Sequence, residues 1–104
     1  MTRTAREIQQ AILAARMQMF SSTIYGPFVV CFSADFYETF RDAYSKLVPE
    51  GLTLWERILK VDSISDVCED ETLPPDTIEL RYEKDGMKTV VACQWPENCE
   101  NKNG

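Results

Sequence analysis

Apolar positions change their spacing several times along this chain, and each change marks an element. Ile8, Ala11, Ile12, Ala15 and Met19 recur at intervals of three and four, with Arg6, Gln9, Gln10 and Arg16 off the stripe. That pattern predicts an amphipathic helix from roughly Ala5 to Phe20. Thr4-Ala5-Arg6-Glu7 ahead of it reads as a capping box. Ser21, Ser22 and Gly26-Pro27 end the helix and turn the chain. Phe28 to Phe32 is then apolar without alternation, the mark of a central strand covered on both faces. Ser33 is the expected N-cap of a second helix, with Asp35 in its first turn. Phe36, Phe40, Ala43, Tyr44 and Leu47 form its inward stripe, and Asp35, Glu38, Arg41, Asp42 and Lys46 face water. Pro49 and Gly51 stop it near Leu47 or Val48.

Thr53-Leu54-Trp55-Glu56 is a second capping box. It predicts a short helix from Leu54 to about Val61, with Leu54, Ile58 and Leu59 inward, broken at Asp62-Ser63. Ile64 to Cys68 reads as a strand with Ile64 and Val67 inward. Thr77 to Trp95 is a hairpin around the primed-turn pair Asp85-Gly86. Pairing Lys84 with Met87 sets Tyr82 opposite Thr89, Leu80 opposite Val91 and Ile78 opposite Cys93 on one apolar face. Glu83 then meets Lys88 on the other face, and a one-residue slip would scramble both. Pro96 to Gly104 is polar and aperiodic, a tail. The expectation is one α+β domain over residues 1–95 in the layered order α-β-α-α-β-β-β. It has a mixed sheet, helices packed on its faces and a C-terminal hairpin.

Between the predicted Ile64–Cys68 strand and the hairpin lies a loop unlike the rest of the chain. Glu69, Asp70, Glu71 and Asp76 surround Leu73-Pro74-Pro75. Four carboxylates in eight residues cannot share a core, so the segment must be exposed, and the Pro-Pro pair stiffens it. It belongs to an acidic half. Residues 1–50 carry five Lys/Arg against five Asp/Glu, and residues 51–104 carry six against twelve, for a net charge of −6. Such a surface repels phosphate, which argues against nucleic-acid binding. The 44% apolar and 27% charged composition is that of a soluble globule. No apolar run approaches the roughly 20 residues a membrane crossing needs, and the N-terminal pattern is a helix rather than a signal peptide. A cytoplasmic protein is expected.

Candidate chemistry is sparse. The chain has no histidine, which removes the commonest general base and metal ligand. Cys31, Cys68, Cys93 and Cys99 match no zinc spacing and read as reduced thiols, with Cys31 and Cys93 inside apolar strand runs. Ser21, Ser22 and Ser33 have no nucleophile-elbow context, and the four glycines are scattered rather than grouped in a phosphate loop. Glu69-Asp70-Glu71 could hold a hard cation, but the EF-hand spacing and its glycine are missing, which leaves a solvated acidic loop. Trp55 and Trp95, with no basic groups expected around them, read as packing residues. No cofactor and no enzymatic activity are expected.

Taken in order, these residues resemble a family. The carrying motifs are Tyr25-Gly26-Pro27-Phe28-Val29-Val30, Ser33-Ala34-Asp35-Phe36-Tyr37, Thr53-Leu54-Trp55-Glu56-Arg57-Ile58-Leu59, Ile64-Ser65-Asp66-Val67 and Leu73-Pro74. Over roughly Ile8 to Trp95 the chain resembles the later part of encapsulin-like major capsid proteins of tailed phages. In that family this region is largely the axial domain, which clusters at the five-fold and six-fold centres of the shell with one loop aimed at the symmetry axis. The resemblance implies that Cys68 to Asp76 is that loop, with its carboxylates crowded in a ring and mutually repelling unless a cation or a basic partner neutralises them. Family members place an extended arm, a long loop and a spine helix ahead of this region. Here Met1 stands just before the first helix, so the chain alone is not expected to close a shell.

The expected function is that of a non-enzymatic viral or prophage structural or interaction protein that joins, caps or modulates capsid assembly. Its partners would be capsid subunits or copies of itself. Glu69, Asp70, Glu71, Leu73, Pro74, Pro75 and Asp76 are the expected contact residues, with the flank of the Phe36–Leu47 helix beside them. The alternative is a small acidic phage-encoded inhibitor or regulator that binds a host protein through its acidic surface.

Overall fold

The computed structural model describes residues 3–41 and 52–95. The predicted stripe residues Ala43, Tyr44 and Leu47 and the tail from Pro96 lie outside them. The elements are α1 (Ala5–Ser21), β1 (Phe28–Phe32), a 3₁₀ turn (Ala34–Phe36), α2 (Tyr37–Arg41), α3 (Leu54–Leu59), β2 (Ile64–Glu69), β3 (Ile78–Lys84) and β4 (Met87–Ala92). This is the α+β order that the apolar spacing predicts. The four strands form one mixed sheet in the order β2-β1-β3-β4. β1 is interior, parallel to β2 and antiparallel to β3.

Both helices with capping boxes are capped as their sequences require. Thr4 accepts from the Glu7 amide while Glu7 accepts from the Thr4 amide, and Thr53 and Glu56 repeat the arrangement at α3. The hairpin has the predicted register throughout, from Lys84↔Met87 to Glu79↔Ala92. Its turn places both Asp85 (φ 54°) and Gly86 (φ 82°) in the left-handed region, as a type I′ turn demands.

β2 needs a special device. Ile64 and Val67 are three residues apart, yet both are buried in the core. In a regular strand that spacing would put them on opposite faces. Phe28 pairs with Ile64 and Val29 with Asp66, so Ser65 is an extra residue bulged out of the ladder. Its hydroxyl donates to the Phe28 carbonyl at 3.2 Å. The bulge returns Val67 to the core side opposite Val30.

The core lies on one face of the sheet. Phe28, Val30 and Phe32 of β1, Ile64 and Val67 of β2, and Ile78 and Leu80 of β3 meet Ile8, Ala11, Ile12, Ala15 and Met19 of α1, Phe36, Phe40, Leu54 and Ile58. Phe32 stacks on Phe40 with centroids 4.2 Å apart and meets Trp55 edge-on at 5.4 Å. Helices were expected on both faces. The β1–α2–α3–β2 crossover places its helices on one side, as the fixed hand of such connections requires, and α1 joins the same cluster. Val29, Cys31, Asp66, Cys68, Glu79, Arg81, Val90 and Ala92 therefore share the other face, which no helix covers among the described residues. The continuous apolar run of β1 marks its interior position rather than a second helical layer.

Two further expectations are corrected. Leu59 is 40% exposed, because in a six-residue helix Leu54 and Ile58 already occupy the single inward face, one turn apart. Ser33 does not cap the following helix with its side chain. Its hydroxyl instead accepts from the Thr77 amide at 3.1 Å, and its own amide donates to the Thr77 carbonyl at 2.9 Å.

Gly26 sits at φ +99°, and a Cβ there would lie 3.0 Å from the Ser63 carbonyl oxygen. At Gly86 a Cβ would meet nothing within 4 Å. Gly86→Ala should therefore cost only its backbone strain, about 1 kcal/mol, whereas Gly26→Ala adds a clash with backbone and should cost about 2–3 kcal/mol. Urea midpoints of the two variants against wild type check the order.

Candidate functional site

The Glu69–Asp76 loop arches over the C-terminal end of β1, because the two strands it joins flank that strand in the sheet. Backbone bonds fasten it there. The Asp70 amide donates to the Phe32 carbonyl at 2.8 Å, and Ser33 and Thr77 exchange the bonds described above. This accounts for Ser33 as a buried polar residue, 1% exposed with its groups satisfied.

Within the loop Asp70 organises the first turn. Its Oδ1 accepts from the Thr72 amide at 2.9 Å and from the Thr72 hydroxyl at 2.6 Å, an Asx-type turn. Its Oδ2 takes a 2.8 Å bond from the Arg81 guanidinium, whose Nε donates to Glu79 Oε1 at 2.9 Å. The Thr72 hydroxyl, the Arg81 side chain and the Thr72 amide together hold the Asp70 carboxyl down at about 2. Arg81 stays charged: burial works against its proton, but the bonds to Asp70 and Glu79 outweigh that.

Asp76 organises the second turn. It adopts a left-handed φ of 63°. Arg3 grips its carboxylate with both ends of the fork, Nε to Oδ1 at 2.9 Å and Nη2 to Oδ2 at 2.6 Å. The same guanidinium lies 4.1 Å from the centroid of the Trp95 ring, and Trp95 Nε1 donates to the Asp76 carbonyl at 3.1 Å. The Asp76 amide donates to Asp35 Oδ2 at 3.0 Å. Burial would raise the Asp35 carboxyl, but bonds from the Ser33 side chain, the Asp76 amide and its own amide outweigh it and hold the group below its ordinary value. A single exposed ion pair contributes at most about 1 kcal/mol. The rigidity here comes from several contacts that share atoms.

Between these two anchors the tip faces solvent. Glu71, Thr72, Pro74 and Pro75 are exposed, Leu73 is half-buried, and Glu69, the last residue of β2, is half-buried beside Phe32. The loop is thus exposed as its composition requires, but it is not a bare acidic tip. Arg81 and Arg3 neutralise two of its four carboxylates. Neither arginine, nor Asp35, is marked by any local motif, since Arg3 and Asp76 are 73 positions apart. Basic groups also lie on both tryptophans, Arg3 on Trp95 and Arg41 at 5.7 Å from the centroid of Trp55, contrary to expectation. Both rings still pack: Trp55 on Phe32 and Tyr37, Trp95 on Phe36. No group of three or more His, Cys, Asp and Glu side chains able to hold a metal ion occurs among the described residues. No described helix is long and apolar enough to cross a membrane.

Comparison with known protein families, with curated proteins and with solved structures found no match.

Asp70 titrates near 2 when folded, against 3.8 for the free side chain. A depressed carboxyl adds stability that is full above about pH 4 and is lost as pH falls towards 2. Asp70→Asn should therefore lower the urea midpoint at pH 7, and the gap from wild type should narrow at pH 2.5. A gap that stays constant with pH would show that the bonds from Thr72 and Arg81 do not favour the ionised form of Asp70.

Proposed function

We propose that this chain is a non-enzymatic structural or interaction protein of viral or prophage type. It is related to the capsid axial domain and docks through the Glu69–Asp76 loop onto capsid subunits or further copies of itself. The loop's internal neutralisation is the observation that carries this reading. A ring of five or six identical acidic loops needs basic partners, and here each loop brings two of its own in Arg3 and Arg81. Double anchoring also leaves little ordering entropy to lose when the exposed tip meets a partner. The order of motifs from Tyr25 to Pro74 is the second support. A symmetric ring would use two different patches of each copy, the tip being one of them. A cytoplasmic setting, in a host cell or within an assembling particle, goes with this reading.

The acidic-inhibitor alternative draws on the net charge of −6. It asks the same loop to present uncompensated carboxylates, and Asp70 and Asp76 are already engaged.

Co-expression with a cognate full-length capsid protein tests the proposal. Co-purification with capsomers, or particles of altered size, is the expected outcome; unchanged particles without co-purification would overturn it. Replacing Pro74 and Pro75 with Gly should weaken docking about tenfold by loosening the tip, and should also lower the thermal midpoint by several degrees because the unfolded chain gains freedom at both positions. Glu69→Gln with Glu71→Gln should leave docking intact. A collapse of binding in that pair would favour charge mimicry instead.

A further inference from the structure

The uncovered face of the sheet carries a feature that loop docking does not use. Cys31 and Cys68 are direct register partners on the neighbouring parallel strands β1 and β2, and their sulfurs lie 3.3 Å apart. We propose that these two thiols form a reversible disulfide by exchange with a small-molecule disulfide. Adjacent strands run about 4.8 Å apart, inside the range of Cα separations of about 4.4–6.8 Å that a disulfide spans. Both side chains point to the same face, so the sulfurs need only close from 3.3 Å to a bond length of about 2.05 Å. Both also line a groove of about 410 Å³ with Pro27, Val29, Arg81 and Lys88, among others, which opens the pair to a small molecule. The charges on that wall are balanced, since Glu83 stands opposite Lys88 and Arg81 is paired with Asp70 and Glu79, so the groove selects an oxidant by size rather than by charge.

The two thiols have different parts. Cys31 is 2% exposed, and its thiol is pushed up to about 12, first by burial and then by the hydrogen bond and charge of Cys68. Cys68 is half-buried on the edge strand and receives the oxidant. The Cys68 thiolate attacks one sulfur of R–S–S–R and expels R–S⁻, which gives a mixed disulfide. That thiolate takes the proton of Cys31. Cys31 then attacks the Cys68 sulfur and expels the second R–S⁻, which is protonated by solvent. Two cysteine thiols are oxidised, one disulfide is reduced to two thiols, and no other reactant is required. The product ties the edge strand to the central strand one residue before Glu69, at the base of the loop.

The test uses the full chain and oxidised glutathione. After incubation the free thiols are alkylated under denaturing conditions and the peptides are mapped by mass spectrometry. The expected product links Cys31 to Cys68, leaves Cys93 and Cys99 alkylated, is reversed by dithiothreitol and raises the thermal midpoint by about 5 °C or more. Cys31→Ser should stop at a stable glutathione adduct on Cys68. Four alkylated cysteines in the wild type, a wild-type adduct on Cys68 that never resolves, or a link from Cys68 to Cys99 would each overturn the proposal. The wild-type map decides the matter even if the variant fails to fold.

Discussion

The five residues of β1 constrain everything else in the protein. They hydrogen-bond to β2 on one side and β3 on the other, so the sheet exists only through them. Alternate side chains, Phe28, Val30 and Phe32, are at or near zero exposure beneath the helices. Phe32 is the focus, with Phe40 stacked on it and Trp55 edge-on. Removing a buried phenylalanine of this kind typically costs about 3–5 kcal/mol, a large share of the stability of a domain of this size. The bulge at Ser65 follows from the same constraint. β2 must deliver both Ile64 and Val67 to the side that Phe28 and Val30 define, and only an extra residue between them allows it.

How much of this was legible in the sequence depended on the distance between the groups involved. The hairpin register could be read in full, because Asp85-Gly86 fixes the turn and the period-2 pattern fixes the faces. The caps at Thr4 and Thr53 were legible for the same reason: donor and acceptor are three residues apart. The inward positions of Ile64 and Val67 could be read, but not the bulge that reconciles them, since it exists only relative to β1. Ser33 had the right residue type for a cap, and a partner 44 positions away claimed its hydroxyl. Arg3 with Asp76, and Arg81 with Asp70, were out of reach for that reason too. Four carboxylates read along the chain look like a bare acidic tip, and only the topology brings the arginines to them.

The loop draws its rigidity from both layers of the domain. Arg3 reaches it from just ahead of α1, on the helical side, and rests on Trp95, which packs against Phe36. Arg81 reaches it from the uncovered face of the sheet. A loop pinned from one side could still pivot about its anchor. Pinned from two sides, with the Ser33–Thr77 bonds closing it over the end of β1, it moves only if the sheet or the helix layer moves.

That arrangement couples the loop to the register of β1 and β2. The alternation that buries Val30 and Val67 on one face leaves Cys31 and Cys68 opposed on the other, with Arg81 beside them in the same groove. The Asp70 and Glu79 carboxylates hold Arg81 in its charged form, while the Cys31 thiol beside it stays protonated. Asp70 in turn opposes ionisation of Cys31, and Arg81 favours it. The loop anchor and the thiol pair therefore share one groove on three adjacent strands. A change at the sulfurs alters the surroundings of the guanidinium that holds the loop's first turn, without any contact with the exposed tip.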